Sequence, residues 1–421
     1  MHKNTGVATA AASPPGLPLL VLLLCFFFNF IGRGVGDTYM VFLLPLGAEF
    51  GWHRSQMTSV YSMLMVVSGL ASPLSGIVFE RWGARVLYGA GLALLGSAYF
   101  IAGQLTQLWQ FYLCIGLVGG LGASAIGMVP AAALISRWFD RRMSTAIGIA
   151  YAGFGCGSLV LVPLTQALID QGGWREAYHA IGLTLLVLLP LSLLLPWGRI
   201  QAGQATMAVR RAKAAAALPA GPSPLRLALK NKRFWLLVQV MFFTAMCIYL
   251  ISVQSVAYLV DIGFTPLQAA GAFGSAGMLS VIGVSASGWI ADRFGHRPAA
   301  SLSFAGTFLG TVVLYLMSYG DAAWLLAGYV LLFGICQGAR GPVIASLSAR
   351  LFAGPGQATI YGAIYACMSV GSGLGALLSG VLHDLTGGYR AAFTLSMACV
   401  VLAALPFWTT RLLIPAERPA E

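Results

Sequence analysis

In the stretch GRGVGDTYM, residues 32 to 40, Arg33 and Asp37 stand four residues apart, a spacing that puts both side chains on one face of a helix. Placed so, they form an ion pair, and Arg33 can exchange that carboxylate for an anionic guest. A second arginine, Arg340, lies in GICQGARGPV with no acid beside it. Its planar guanidinium fork matches a carboxylate, so an arginine that faces a cavity unaccompanied is an anion receptor. Two cations against one acid leave one negative charge to be supplied, which favours an anion over a cation or a neutral sugar. Tyr39, Tyr151, Tyr365 and Gln337 are further polar groups suited to lining such a space, together with Tyr61, Tyr249, Gln254 and Tyr361. A plainer reading stays open for each. Arg33 and Asp37 neutralise one another and pin a helix with help from Asn29, Arg340 binds carbonyls freed by Pro342, and the tyrosines satisfy packed backbone.

The elements that hold these residues are apolar. Of 421 residues, 58% are hydrophobic and only 9% charged, against about a quarter charged in ordinary soluble domains. Twelve mostly apolar segments of about 19 to 30 residues are each long enough for a helix to cross a hydrocarbon layer of about 30 Å. Arg33 falls near the middle of the first, Arg340 falls within the tenth, and Asp37 is the only acid inside any of them. A charge at that depth costs on the order of 3 kcal/mol on insertion scales, so it faces a partner or a wet cavity. If an anionic guest takes Arg33 from Asp37, the poorly solvated carboxylate accepts a proton more readily, which links guest to proton. Gly32, Gly34 and Gly36 leave room there for a small ligand or a helix break.

The formal charge of +12 is topological rather than a nucleic-acid footprint. With an even number of spans, the alternate loops (those holding ERWGAR, RWFDRR and ADRFGHR and the one with Arg350), the central linker and the tails carry 19 of the 24 Lys and Arg, whereas the opposite loops hold Arg54, Arg175 and Arg390. Cationic loops are retained in the cytoplasm, so both termini are expected inside, in a multi-pass integral membrane protein. No removable leader is expected, because ATAAAS precedes the first apolar segment rather than following it. All seven cysteines lie in expected spans without CxxC spacing, and the five histidines sit at loops or span ends, so neither a metal site, a cofactor nor an enzymatic cluster is expected.

Residues 198 to 233 interrupt the pattern with Pro219, Pro222, Pro224 and eight basic residues. This gives a tail (1–16), a six-helix bundle (17–197), a linker (198–233), a second bundle (234–409) and a tail (410–421). The bundles align: GIVFERWGAR (76–85) and GWIADRFGHR (288–297) match at an offset of 212, pairing Gly76 with Gly288, Glu80 with Asp292, Arg81 with Arg293 and Arg85 with Arg297. The same offset pairs Gly51 with Gly263, and GGWREAY (172–178) pairs with GGYRAAF (387–393) at 215. A duplicated six-plus-six helix chain with this loop motif resembles the major facilitator superfamily. The resemblance implies an all-α membrane fold of twelve helices in two pseudo-symmetric bundles that rock about a central site. It also implies a monomer in contact with lipid, and makes the paired loop charges a cytoplasmic latch.

Within that superfamily, FLLPLGAEFGWHRSQMTSVYS, RWFDRRMSTAIGIAYAGFG and GARGPV resemble bacterial relatives of the monocarboxylate porters and oxalate/formate antiporters. That bacterial branch implies a place in the bacterial inner membrane and carriage of small organic anions, with protons or in exchange. The chain departs from it in having no arginine in span 8 and no lysine in span 11, so Arg33 and Arg340 would have to substitute. Drug/proton antiporters share the loop motif, but GIAYAGFGCGS lacks their glycine-proline signature. Multidrug efflux and a nontransporting membrane sensor are the alternatives.

Overall fold

The computed structural model describes residues 16–139, 143–203, 224–317, 323–352 and 357–410. The described residues are helical, with no strand among them. They contain nine helices long and apolar enough to cross a membrane. Two of these, Arg54–Ala102 and Met143–Leu193, have 49 and 51 residues; run straight, either would extend more than 70 Å, about twice a bilayer's hydrocarbon core. Each is interrupted by one glycine in a non-helical conformation, Gly83 (φ 83°, ψ 172°) and Gly173 (φ 82°, ψ 169°). The chain doubles back at both. Tyr61, before Gly83, reaches Asp37, and Tyr99, after it, donates to the carbonyl of Val35. Ser158 and Tyr178, either side of Gly173, reach Asp37 and Phe42. Each long helix therefore supplies two spans (2 and 3, 5 and 6), and a broken helix, Ala323–Gln337 followed by Arg340–Leu351, supplies span 10. The twelve expected spans are thereby present, beginning with span 1 (Leu17–Asp37 and Tyr39–Phe50) and ending with span 12 (Arg390–Thr409). Most of the expected linker and nearly all of both tails lie outside the described residues.

The duplication is written in the backbone. Among the described residues every positive φ belongs to glycine, which alone adopts it without strain. Gly51 and Gly263 (φ 66° and 106°) occupy corresponding turns, as do Gly83 and Gly295 (φ 83° and 91°). The third such pair is Gly173 and Gly387 (φ 82° and 68°). That is one residue away from the alignment of GGWREAY with GGYRAAF, which pairs Gly173 with Gly388; the turn conformation, rather than the flanking side chains, sets the structural correspondence.

Two apolar cores divide the molecule unevenly. One fills the first half and continues into the second through Tyr249, Val256, Phe273, Leu314 and Phe393. The other is confined to the second half, from Phe234 through Phe304 and Leu347 to Phe407. The shared core lies toward the end remote from Leu17, Lys232 and Thr409, and there the halves are joined.

Candidate functional site

Spans 1 and 5 touch backbone to backbone. A Cβ on Gly157 would stand 2.2 Å from the carbonyl oxygen of Phe30, and one on Gly34 would stand 2.8 Å from the carbonyl carbon of Gly157. Only glycine permits that approach, and it carries the next residue, Ser158, onto Asp37, whose Oδ2 accepts from the serine Oγ at 2.5 Å. Asp37 also pairs with Arg33 Nε at 3.0 Å and accepts from the Tyr61 hydroxyl at 3.4 Å. Arg33 in turn donates from Nη1 to the Tyr249 hydroxyl at 2.7 Å, across to span 7 of the other half. The partners differ in exposure: the Asp37 side chain is 4% accessible and that of Arg33 35%. The guanidinium thus keeps one side toward a cavity of about 80 Å³ between the halves. Asp37, Met40, Phe154 and Ser158 share its first-half wall, and Ser252, Phe273, Ser280, Tyr329, Phe333 and Gln337 form the opposite one.

Of the residues singled out in the sequence, Arg33, Asp37 and Gln337 meet at this cavity, with Gln337 held by its Nε2 donating to the carbonyl of Ala276 at 3.0 Å. Tyr39 does not line it; its hydroxyl donates to the carbonyl of Met57 within the first half. Tyr151 donates to the carbonyl of Met128, and Tyr365 reaches the Met128 sulfur from span 11. The sequence reading missed Ser158 and the aromatic wall of Phe154, Phe273 and Phe333. The glycine row of span 5 (Gly153, Gly155, Gly157) marks a close helix crossing, and Ser158 is the polar residue that follows it.

The two arginines do not converge. Arg340 is 1% exposed and absent from the cavity wall. Span 10 breaks at Gly338 and Ala339, and the new helix starts with Arg340 packed inside the second half, its Cζ 4.9 Å from the Phe304 ring. Nη2 donates to the carbonyl of Gln337 at 3.3 Å, while Nε and Nη1 have no hydrogen-bond partner among the described residues. A buried cation with two unmet donors is destabilising by about 1–3 kcal/mol or more. Arg340→Met is therefore expected to raise the thermal midpoint of the purified protein by a few degrees and to leave solute uptake intact. A loss of uptake without a loss of stability would return Arg340 to the site.

At the end remote from the termini the halves are sealed by charge. Asp384 of span 11 accepts from the backbone amides of Arg54 and Ser55 at 3.1 and 2.8 Å, capping the start of span 2 from the other half. Arg54 pairs with Asp261 at the end of span 7 at 3.5 Å, and Asp261 is also bonded by the Tyr389 hydroxyl. In the first half the corresponding acid, Glu49, bonds Trp174 and Arg175 of its own half. At the opposite end Glu80, Arg81, Arg85 and Arg293 are exposed, with Arg81 and Arg293 lying over Trp82 and Trp289 of their own helices. Arg297 donates to the carbonyl of Thr410, and the side chain of Asp292 is outside the described residues.

A twelve-span chain folded as two similar halves, with a charged cavity between them and a seal at one end, has the architecture of a solute carrier. The sequence profile of the Major Facilitator Superfamily matches residues 22–339. The chain belongs to the major facilitator superfamily. Like other members it is a multi-pass membrane transporter rather than an enzyme. It is similar to monocarboxylate transporter 13 of Bos taurus (32% identity, covering 94% of this chain and 91% of that one) and of Rattus norvegicus (31%, 97% and 94%). Monocarboxylate transporter 11 of Homo sapiens is 28% identical over 94% of this chain and 84% of its own. These relatives are animal proteins and lend nothing to a bacterial location. Among solved structures, a D-xylose-proton symporter superposes with a TM-score of 0.68 at 15% identity, covering 93% of this chain and 97% of that one. A bacterial homologue of the human lysosomal transporter Spinster superposes at 0.70 with 14% identity, covering 94% and 97%. At such identities these two speak for the superfamily fold alone.

Proposed function

We propose that the protein carries small monocarboxylates across the membrane by alternating access, coupled to protons. The observation that supports this most directly is the half-open guanidinium of Arg33, the one basic group among the described residues lining the cavity between the halves. A guest carboxylate binds that exposed side and competes with Asp37 for it. Asp37, buried and released from its cation, takes up a proton, so that site charge is conserved through the cycle. Tyr249 bridges the arginine to the second half, which lets occupancy be felt across the interface. Relatives named monocarboxylate transporters over nearly the whole chain agree with a carboxylate guest.

In this reading the basic loops and both termini face the cytoplasm, and the conformation described is closed on the outer side. The charges flanking Gly76 and Gly288 (Glu80, Arg81 and Arg85; Asp292, Arg293 and Arg297) form the latch that closes the cytoplasmic end when the outer seal opens. The carrier acts as a monomer in lipid. The test is uptake of labelled pyruvate into proteoliposomes with and without an inward proton gradient. Wild type is expected to accumulate it only with the gradient, and Asp37→Asn to equilibrate it in both cases. Gradient-driven accumulation undiminished in Asp37→Asn would remove the proton role, and uptake of sugars or amines in place of acids would remove the substrate class.

A further inference from the structure

We infer that the site is built for a monocarboxylate that also carries an ammonium on the adjacent carbon, a small apolar α-amino acid. This rests on the reading that Arg33 receives the carboxylate. With Arg340 packed away inside the second half, the charged groups on the cavity wall among the described residues are Arg33 and Asp37, one of each sign. A net-neutral pair accepts a net-neutral guest without leaving an uncompensated charge in a poorly solvated place. The spacing narrows the class further. The two site charges are in contact, at 3.0 Å, so the guest's charges must be equally close, as they are when both sit on one carbon.

The remaining polar groups suit an ammonium. The Asp37 carboxyl contacts Arg33 Nε and the hydroxyls of Tyr61 and Ser158, and a carboxylate can accept an ammonium N–H in place of a hydroxyl. Ser158 can leave it without losing a partner, because its Oγ is also 3.2 Å from the carbonyl of Phe154. An incoming N–H donor thus displaces the serine at little cost. Gln337, its amide nitrogen committed to Ala276, offers an oxygen on the opposite wall. Phe154, Phe273 and Phe333 leave an apolar surface for the guest's side chain. A plain acid must bring its positive charge as a separate proton on Asp37; the amino acid brings it covalently.

The test is a thermal-shift and counterflow series on the full-length protein at neutral pH with 2-aminobutyrate, butyrate and propylamine. The amino acid is expected to act at about tenfold lower concentration than the acid, the difference of one charge-assisted hydrogen bond, and the amine to be inert. Asp37→Asn is expected to abolish that preference, bringing the amino acid and the acid to similar effective concentrations. Wild-type protein that takes butyrate as well as or better than 2-aminobutyrate would overturn the inference and leave the carboxylate reading standing. Failure of both to bind would overturn both. The wild-type series decides the matter even if the asparagine variant does not fold.

Discussion

Arg33→Gln is expected to reduce carboxylate uptake into proteoliposomes about a hundredfold, with Arg33→Lys falling between it and wild type. A bidentate, charge-assisted pair is among the strongest contacts a protein makes, about 1.5–3 kcal/mol, and each 1.4 kcal/mol is about tenfold in affinity. Lysine keeps the charge but loses the fork. The single change also strands Asp37, whose side chain is 4% exposed, without its cation, so a loss of uptake by itself does not separate binding from folding. The double variant Arg33→Gln/Asp37→Asn does, since it restores neutrality. Its thermal midpoint is expected to return toward wild type while uptake stays low. Recovery of uptake in the double variant would mean that Arg33 only balances Asp37.

Opening the sealed end is the second large effect expected. In Asp384→Ala/Asp261→Ala, span 2 loses a cap supplied from the opposite half, worth about 1 kcal/mol. Arg54 loses a partner that is 41% exposed and contributes at the low end of the 0–1 kcal/mol range for such pairs. Together these shift a two-state equilibrium by roughly tenfold. With spin labels on His53→Cys and Leu385→Cys in a cysteine-free background, the distance distribution should gain a longer component in the double variant. Asp384→Asn, which keeps one acceptor, should show an intermediate share. A distribution unchanged from the parent would mean that apolar contact between spans 2 and 11, not charge, holds this end shut.

Much of this molecule could be read from its chain. Segment length and apolarity fix twelve crossings, because a bilayer leaves few alternatives to a helix that satisfies its own backbone. The repeat was legible in Gly51 with Gly263 and Gly83 with Gly295, where a positive φ excludes other residues and so keeps the glycine in each copy. The ion pair of Arg33 and Asp37 followed from an i to i+4 spacing, a local geometry that one helix imposes without help from its neighbours.

What the chain left open were the facts that depend on how one helix is turned against another. Arg33 and Arg340 are both arginines within apolar spans, and nothing in composition or spacing says that one faces the interface and the other the interior of its own half. The break at Gly338 and Ala339 decides that, through the orientation it gives the following helix. Ser158 joins Asp37 because two glycines on different spans let backbones touch, and Asp384 seals span 2 across a sequence distance no local rule spans. Sequence alone determined which charges are present and at what depth. Tertiary packing decided which of them share one cavity, because side-chain direction on a buried helix is set by the neighbours it must fit.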